Sequence, residues 1–267
     1  MHKTATLADA IARIPDGARV ALGGNTLHRA PCAAVHELAR QRRRGLVLVK
    51  TAGSYDVDAL CAAGCVAAVE AGYVGYENLL GLAPGYRRAV ESGRVEAREH
   101  SCYTVIAGFR AAAQGVPFMP LRGLDGSDLV DARRFERVRD PYGGGDVLVV
   151  PAIAPDWAIL HVHEADAAGD GAIVAGGLFE DVLMASAAKR VILTCERVVD
   201  GERLAARGGA AIPRYAVDAV VHAPRGAWPL ACPAEYDYDL DRLRAFYAVA
   251  QKGSEEEAAR FLSTGAA

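Results

Sequence analysis

Three short polar segments follow apolar runs in the first third of the chain, and each offers groups that could bind or turn over a ligand. Gly23-Gly24-Asn25 follows the apolar run Arg19–Leu22 and precedes a helical stretch opened by Pro31. Glycines at such a turn let backbone amides approach a ligand, and the helix start that follows favours an anion. A tight turn needed only for packing leaves the same pattern. The spacing is not GxGxxG and no GK[ST] follows, so neither a dinucleotide fingerprint nor a P-loop is present. Thr51-Ala52-Gly53-Ser54 closes a second apolar run, and Gly75-Tyr76-Glu77-Asn78 a third. Glu77 is suited either to accept hydrogen bonds from a ligand or to hold its own loop.

Cysteine and histidine supply the other candidates. Cys102, in Ser-Cys-Tyr-Thr, precedes a helical stretch, where a thiol pKa is lowered and the sulfur becomes reactive. No general base stands beside it in sequence except His100, and a small apolar filler is the competing role. His161 and His163 alternate along an expected strand and so share one face. That is compatible with metal ligation. Apart from Asp166, no further ligand repeats the geometry, and a hydrogen-bonded pair is the favoured reading. Cys61 and Cys65 lack a second pair and do not read as a zinc site. No GxSxG nucleophile elbow occurs.

The elements that must position these groups alternate between strand and helix. The pattern predicts a helix over 4–14 with Thr6 as N-cap, then strands over Arg19–Leu22, 46–50 and 66–72. Helices are expected from Pro31 to about Arg42, over Asp56–Ala63 and over Tyr103–Gln114, the last ended by Gly115 and Pro117. In the second half, strands are expected over Asp146–Ile153, Asp156–Val162, Arg190–Cys195 and Val217–Val221. Helices are expected over Phe179–Lys189, Asp239–Gln251 and Glu255–Leu262. Such alternation predicts an α/β fold, an open and mostly parallel sheet covered by helices on both faces. Asp125–Gly145 is the longest irregular stretch. Its Pro-Tyr-Gly-Gly-Gly-Asp turn reads as a surface excursion, so residues 1–267 are expected to form a single domain. Ligands of open α/β sheets bind beyond the carboxyl ends of the strands, which places the site in the N-terminal half.

Composition excludes several classes. Of the 267 residues, 52% are hydrophobic and 24% charged, enough for a packed core, and the net charge of −3 argues against a nucleic-acid binder. The one basic run, Arg40 to Arg44, sits at an expected helix end, where it suits the dipole. No run approaches the 18 or so apolar residues of a membrane span. The N-terminus has no apolar core or cleavage site of a signal peptide. Six cysteines are too sparse for a disulfide framework, so reduced thiols and a cytoplasmic location are expected.

Several blocks, taken in order, carry a resemblance. The segments 14–25, 72–128, 151–170, 187–196 and 236–239 resemble the α subunit of family I CoA-transferases, the glutaconate and 3-oxoacid group. The resemblance implies a CoA-transferase-like fold and an active site shared with a separate β subunit, which carries the covalent glutamate. It implies acyl-CoA and a small carboxylic acid as substrates, coenzyme A as co-substrate, and no metal or permanently bound cofactor. The glutamate would attack the thioester and pass through an acyl anhydride and a glutamyl–CoA thioester, as nucleophilic catalysis with ping-pong kinetics. The tetrahedral oxyanions need preorganised donors. Gly23, Gly24, Asn25, Thr51, Gly53, Gly75, Tyr76, Glu77 and Asn78 are the expected substrate and CoA contacts.

Cys102 is the expected catalytic position. It falls where 3-oxoacid enzymes resemble one another in a donor glutamine, and where the related steroid ring-opening hydrolases carry an acid. This chain departs from both patterns, and a thiol is a poor donor. Neighbouring amides or partner groups are expected to donate instead. No β-type Glu-x-Gly setting occurs, so no covalent nucleophile is expected here. Two other readings stay open: a subunit of a hydrolase opening rings of CoA thioesters, and a non-catalytic acyl-CoA or carboxylate-binding protein.

Overall fold

The computed structural model describes residues 2–206 and 208–264. The first half runs α1 (Leu7–Ala12), β1 (Arg19–Leu22), α2 (Cys32–Arg40), β2 (Leu46–Gly53), α3 (Tyr55–Ala62), β3 (Val66–Val74), α4 (Glu77–Leu80), α5 (Pro84–Glu91) and β4 (Glu96–Glu99). It continues through α6 (Cys102–Ala113), β5 (Phe118–Leu121), α7 (Leu129–Ala132), β6 (Arg137–Arg139) and β7 (Asp146–Pro151). The rest comprises β8 (Trp157–Asp166), β9 (Gly171–Ala172), α8 (Asp181–Ala187), β10 (Val191–Val199), α9 (Gly201–Ala206), β11 (Ala219–His222), α10 (Leu240–Lys252) and α11 (Glu255–Ser263).

Seven strands form one parallel sheet in the order β11-β10-β8-β1-β2-β3-β4, with β9 pairing antiparallel to β8. The expected open parallel sheet is therefore what forms. Its central strands are buried on both faces because their side chains alternate between two apolar clusters. Val20 and Leu22 of β1 pack under α1, α2, α3, α10 and α11, whereas Ala21 packs with Val105 and Phe109 of α6 and Met184 of α8. The two-residue period of a strand thus divides one run of small apolar residues between two helix layers.

Thr6 caps α1 as expected, its Oγ1 accepting from the Asp9 amide at 3.1 Å, and the cap shortens the helix to Leu7–Ala12. β8 runs four residues past its expected end because it pairs with β10 as far as Asp166. The irregular stretch 125–145 contains α7 and β6, and its glycine-rich turn joins β6 to β7 in a second, antiparallel sheet, β5-β7-β6. The basic run is tied down: Arg40 pairs with Glu37, Arg43 donates to the Ala12 carbonyl, and Arg44 to that of Gly64. No helix among the described residues is long and apolar enough to cross a membrane.

α3 lies wholly inside the protein and carries an acid there. Asp58 accepts from the Tyr76 hydroxyl at 2.9 Å and the Tyr86 amide at 2.8 Å. Burial raises its pKa to about 7, against the lowering effect of those hydrogen bonds. The folded state therefore holds the Asp58 proton more tightly than the unfolded chain. The stability due to this group is complete below the unfolded pKa near 4 and is lost as pH rises through about 7. Asp58→Asn is expected to flatten the fall in unfolding free energy between those limits. Denaturant titrations of both proteins across this range check it, and parallel slopes would contradict it.

Candidate active site

The strand order reverses between β1 and β8, and the chain winds outward on either side of that pair. Such a switch point leaves a crevice at the carboxyl ends of the strands. The Gly23-Gly24 turn lies there. Gly24 has φ 70°, and a β-carbon on it would lie 2.6 Å from the Ala30 amide nitrogen, so glycine is required.

The turn does a different job from the one expected. Gly23 donates to the Ile159 carbonyl, Gly24 to Asp181 Oδ1 and Asn25 to the His28 carbonyl, each at 2.9 Å. With all three amides committed, none is left to cradle an anion. Two buried ion pairs lock the turn. Asp181 holds Arg29 at 2.8 Å, and Arg29 also donates to the carbonyls of His161 and Gly177. Lys50 donates to the Gly23 carbonyl at 2.7 Å and pairs with Asp56. All four charged side chains are fully buried, and they fasten β1 to α8 and to β2.

Three other groups meet beside this turn, the buried Thr51 with Cys102 and Glu180. Thr51, near the end of β2, donates from its hydroxyl to Glu180 Oε2 at 2.7 Å. Its carbonyl accepts from the Cys102 thiol at 3.4 Å. Cys102 opens α6, whose start is fixed by a capping box between Ser101 and Thr104. Gly72 on β3 lets this helix end come close, since a β-carbon there would lie 2.7 Å from the Ser101 carbonyl carbon and 2.8 Å from Cys102 Cα. The amide of Tyr103 has no acceptor among the described residues. A helix start with an open amide is a ready site for negative charge.

Cys102 is exposed but not activated. Partial burial of the sulfur, and then the Glu180 carboxylate, raise its pKa above the ordinary thiol value. The lowering expected at a helix start is overridden, and the thiol stays protonated near neutrality. Because its proton goes to the Thr51 carbonyl, Cys102→Ala is expected to cost turnover less than about 10-fold. A loss of about 1,000-fold in kcat would assign the sulfur a direct part in the chemistry.

The other sequence candidates separate. Thr51 and Gly53 sit at the end of β2, and Gly75 follows β3 and bridges to Leu82. Tyr76 is fully buried, with its hydroxyl committed to Asp58, because its ring fills the core under α10 beside Tyr247. It faces away from the crevice. Glu77 and Asn78 are exposed on the short α4, and Glu77 has φ 51° with its amide held by the Tyr73 hydroxyl.

His161 bonds Thr194 at 2.9 Å and Glu196 at 2.8 Å, and His163 bonds the Pro233 carbonyl at 2.8 Å. The hydrogen-bonded reading of the histidines thus describes their contacts. Ligand-type atoms of His161, Glu196 and Cys232 lie within 4.8 Å of one another. Glu196 also accepts from the Tyr236 hydroxyl and the Arg225 amide, so the group latches the 223–239 segment onto the sheet. Two concavities of about 580 Å³ lie elsewhere, one among Arg42, Arg44, Glu255 and Arg260, the other beside Phe118, Val138 and Tyr142.

Sequence reasoning missed Glu180 and Gly72. Glu180 precedes α8, where an acid reads as a favourable dipole partner, and nothing local shows that it reaches Thr51, 129 positions earlier. Gly72 sits inside a strand, and an isolated strand glycine is itself a signal of close backbone approach.

Fold and site together define an α/β protein in which Thr51, Cys102 and Glu180 meet beside a topological switch point. The chain belongs to the coenzyme A transferase family, whose model matches residues 4–223. It is 34% identical over 266 residues to the α subunit of glutaconate CoA-transferase of Acidaminococcus fermentans, covering 92% of this chain and 82% of that one. The crystal structure of that enzyme superposes with a TM-score of 0.91 at 33% identity, covering 99% of this chain and 88% of the other. A structure of the decarboxylase AibA/AibB gives 0.89 at 37% identity, covering 99% and 100%. A protein of Archaeoglobus fulgidus is 38% identical over 95% of this chain, which spans 58% of that protein's length.

Proposed function

We propose that this chain, acting as one domain over residues 1–267, is the α-type subunit of a heteromeric CoA-transferase. It moves coenzyme A between an acyl-CoA and a small carboxylic acid, and the covalent glutamate is carried by a partner β subunit. The observation that carries this reading is the match to the α subunit of glutaconate CoA-transferase in both sequence and structure. The crevice is consistent with it. It offers an open amide at the start of α6, the Glu180 carboxylate and a protonated thiol at Cys102, with the buried Thr51 hydroxyl committed to Glu180, but no activated nucleophile.

In this reading the partner's carboxylate attacks the thioester carbonyl. The start of α6 faces the oxyanion, where preorganised amides stabilise developing charge. Thr51 holds Cys102 and Glu180 in place around it. Gly23, Gly24 and Asn25 support the crevice floor, and Gly53, Gly75, Glu77 and Asn78 lie along the approach for coenzyme A. No bound cofactor is needed for these steps.

One observation favours a second reading, a subunit that breaks a carbon–carbon bond in a CoA thioester by hydrolysis or decarboxylation. Glu180, just before α8, sets a carboxylate near Cys102, where the related hydrolases carry an acid, and the AibA/AibB structure is of a decarboxylase. Affinity capture of the tagged chain from its host, followed by assay of the captured complex, separates the readings. A stoichiometric partner and CoA transfer that requires an acceptor acid support the first. Product release without an acceptor acid supports the second, and a chain with no partner contradicts both.

A further inference from the structure

Resting on the transferase reading, we propose that Glu180 sets acyl specificity in this crevice. It favours acyl groups that bring a hydrogen-bond donor, such as a hydroxyl or enol, and disfavours those that bring a second carboxylate. Glu180 occupies the N-cap position of α8, yet its side chain makes no capping bond. Capping is a task of shorter side chains such as aspartate and serine, and the longer glutamate is free to reach outward. This one accepts from Thr51 across the crevice instead. Phe179, just before it, has φ 46°, a strained backbone for a bulky residue that fixes where Glu180 points.

The carboxylate is half-buried, and no cation pairs with it among the described residues. Arg29 and Lys50, the buried cations of this region, are committed to Asp181 and Asp56. Oε2 accepts a hydrogen bond from the Thr51 hydroxyl, and Oε1 has no partner among the described residues. A carboxylate oxygen is a hydrogen-bond acceptor, so a donor on the ligand is the atom that suits Oε1. A second carboxylate placed there meets a like charge in a partly desolvated cleft. Leu178 and Phe179, 46% and 37% exposed, add an apolar wall beside the acid that suits a short acyl chain.

The test uses the full chain in complex with its β partner and three acceptors of one length: butyrate, 3-hydroxybutyrate and succinate. Wild type is expected to show the highest kcat/KM with the hydroxy acid and the lowest with the dicarboxylate. Glu180→Gln is expected to raise the succinate-to-butyrate ratio by about 10- to 100-fold and to remove the preference for the hydroxyl. Unchanged ratios would overturn the proposal. A uniform rise in KM for every acyl-CoA would also overturn it, since the donor would then belong to the pantetheine arm. Binding of the same acids by calorimetry gives an ordering independent of turnover. A complex that binds them in the expected order without transferring CoA contradicts the transferase reading and leaves the role of Glu180 supported.

Discussion

Asp181→Ala is expected to lower the unfolding free energy by roughly 3–5 kcal/mol, the usual cost of breaking a buried ion pair from one side. Arg29 and Asp181 are both fully buried and 2.8 Å apart. Removing the carboxylate strands a guanidinium whose remaining partners are two carbonyls, and it also orphans the Gly24 amide. Each loss is a desolvated polar group without its partner. Asp181→Asn keeps an acceptor for Gly24 but not the charge, so it should fall between alanine and wild type. Reversible denaturant unfolding measures all three. A cost below about 1 kcal/mol for alanine would show that the pair does not fasten the turn to α8.

Gly72→Ala carries the second large effect, and it links packing to chemistry. The added methyl meets backbone, not a yielding side chain: the Ser101 carbonyl carbon and Cys102 Cα. Either β3 or the start of α6 must move. Over-packing of this kind costs about 1–3 kcal/mol in stability. The larger consequence is for the crevice, because α6 carries Cys102 and the open Tyr103 amide. A displacement of about 1 Å in a positioning element can cost about 100-fold in rate. Turnover of the assembled complex should fall by that order while the variant still folds. Near-wild-type turnover would place the chemistry away from α6.

The sheet was legible because its strands are short apolar runs closed by glycine or polar residues. β1 ends where Arg19–Leu22 meets Gly23. The α6 start was within a residue of expectation because Ser101 caps it, and its end was marked by Gly115 and Pro117. Other elements were hidden for physical reasons. α5 is rich in arginine and presents a narrow apolar face, so only Pro84 at its first turn announces it. β4, β5 and β6 are three or four residues long and mostly exposed, and they exist through pairing with β3 and β7.

The crevice was half legible for a related reason. Sequence locates strand ends, so Thr51 and the glycine turn stood out. Whether an amide there is open depends on partners far along the chain, and Asp181 reaches Gly24 across 157 positions. Tyr76 looked like a polar group beside a strand end, but the buried Asp58 draws its hydroxyl inward.

The most direct test of the half-enzyme account is intact-mass spectrometry of the purified complex after incubation with an acyl-CoA and no acceptor acid. The account predicts a covalent adduct on the partner β chain, an unmodified mass for this chain, and loss of the adduct when a carboxylic acid is added. An adduct on this chain, or turnover without any adduct on the partner, would contradict it.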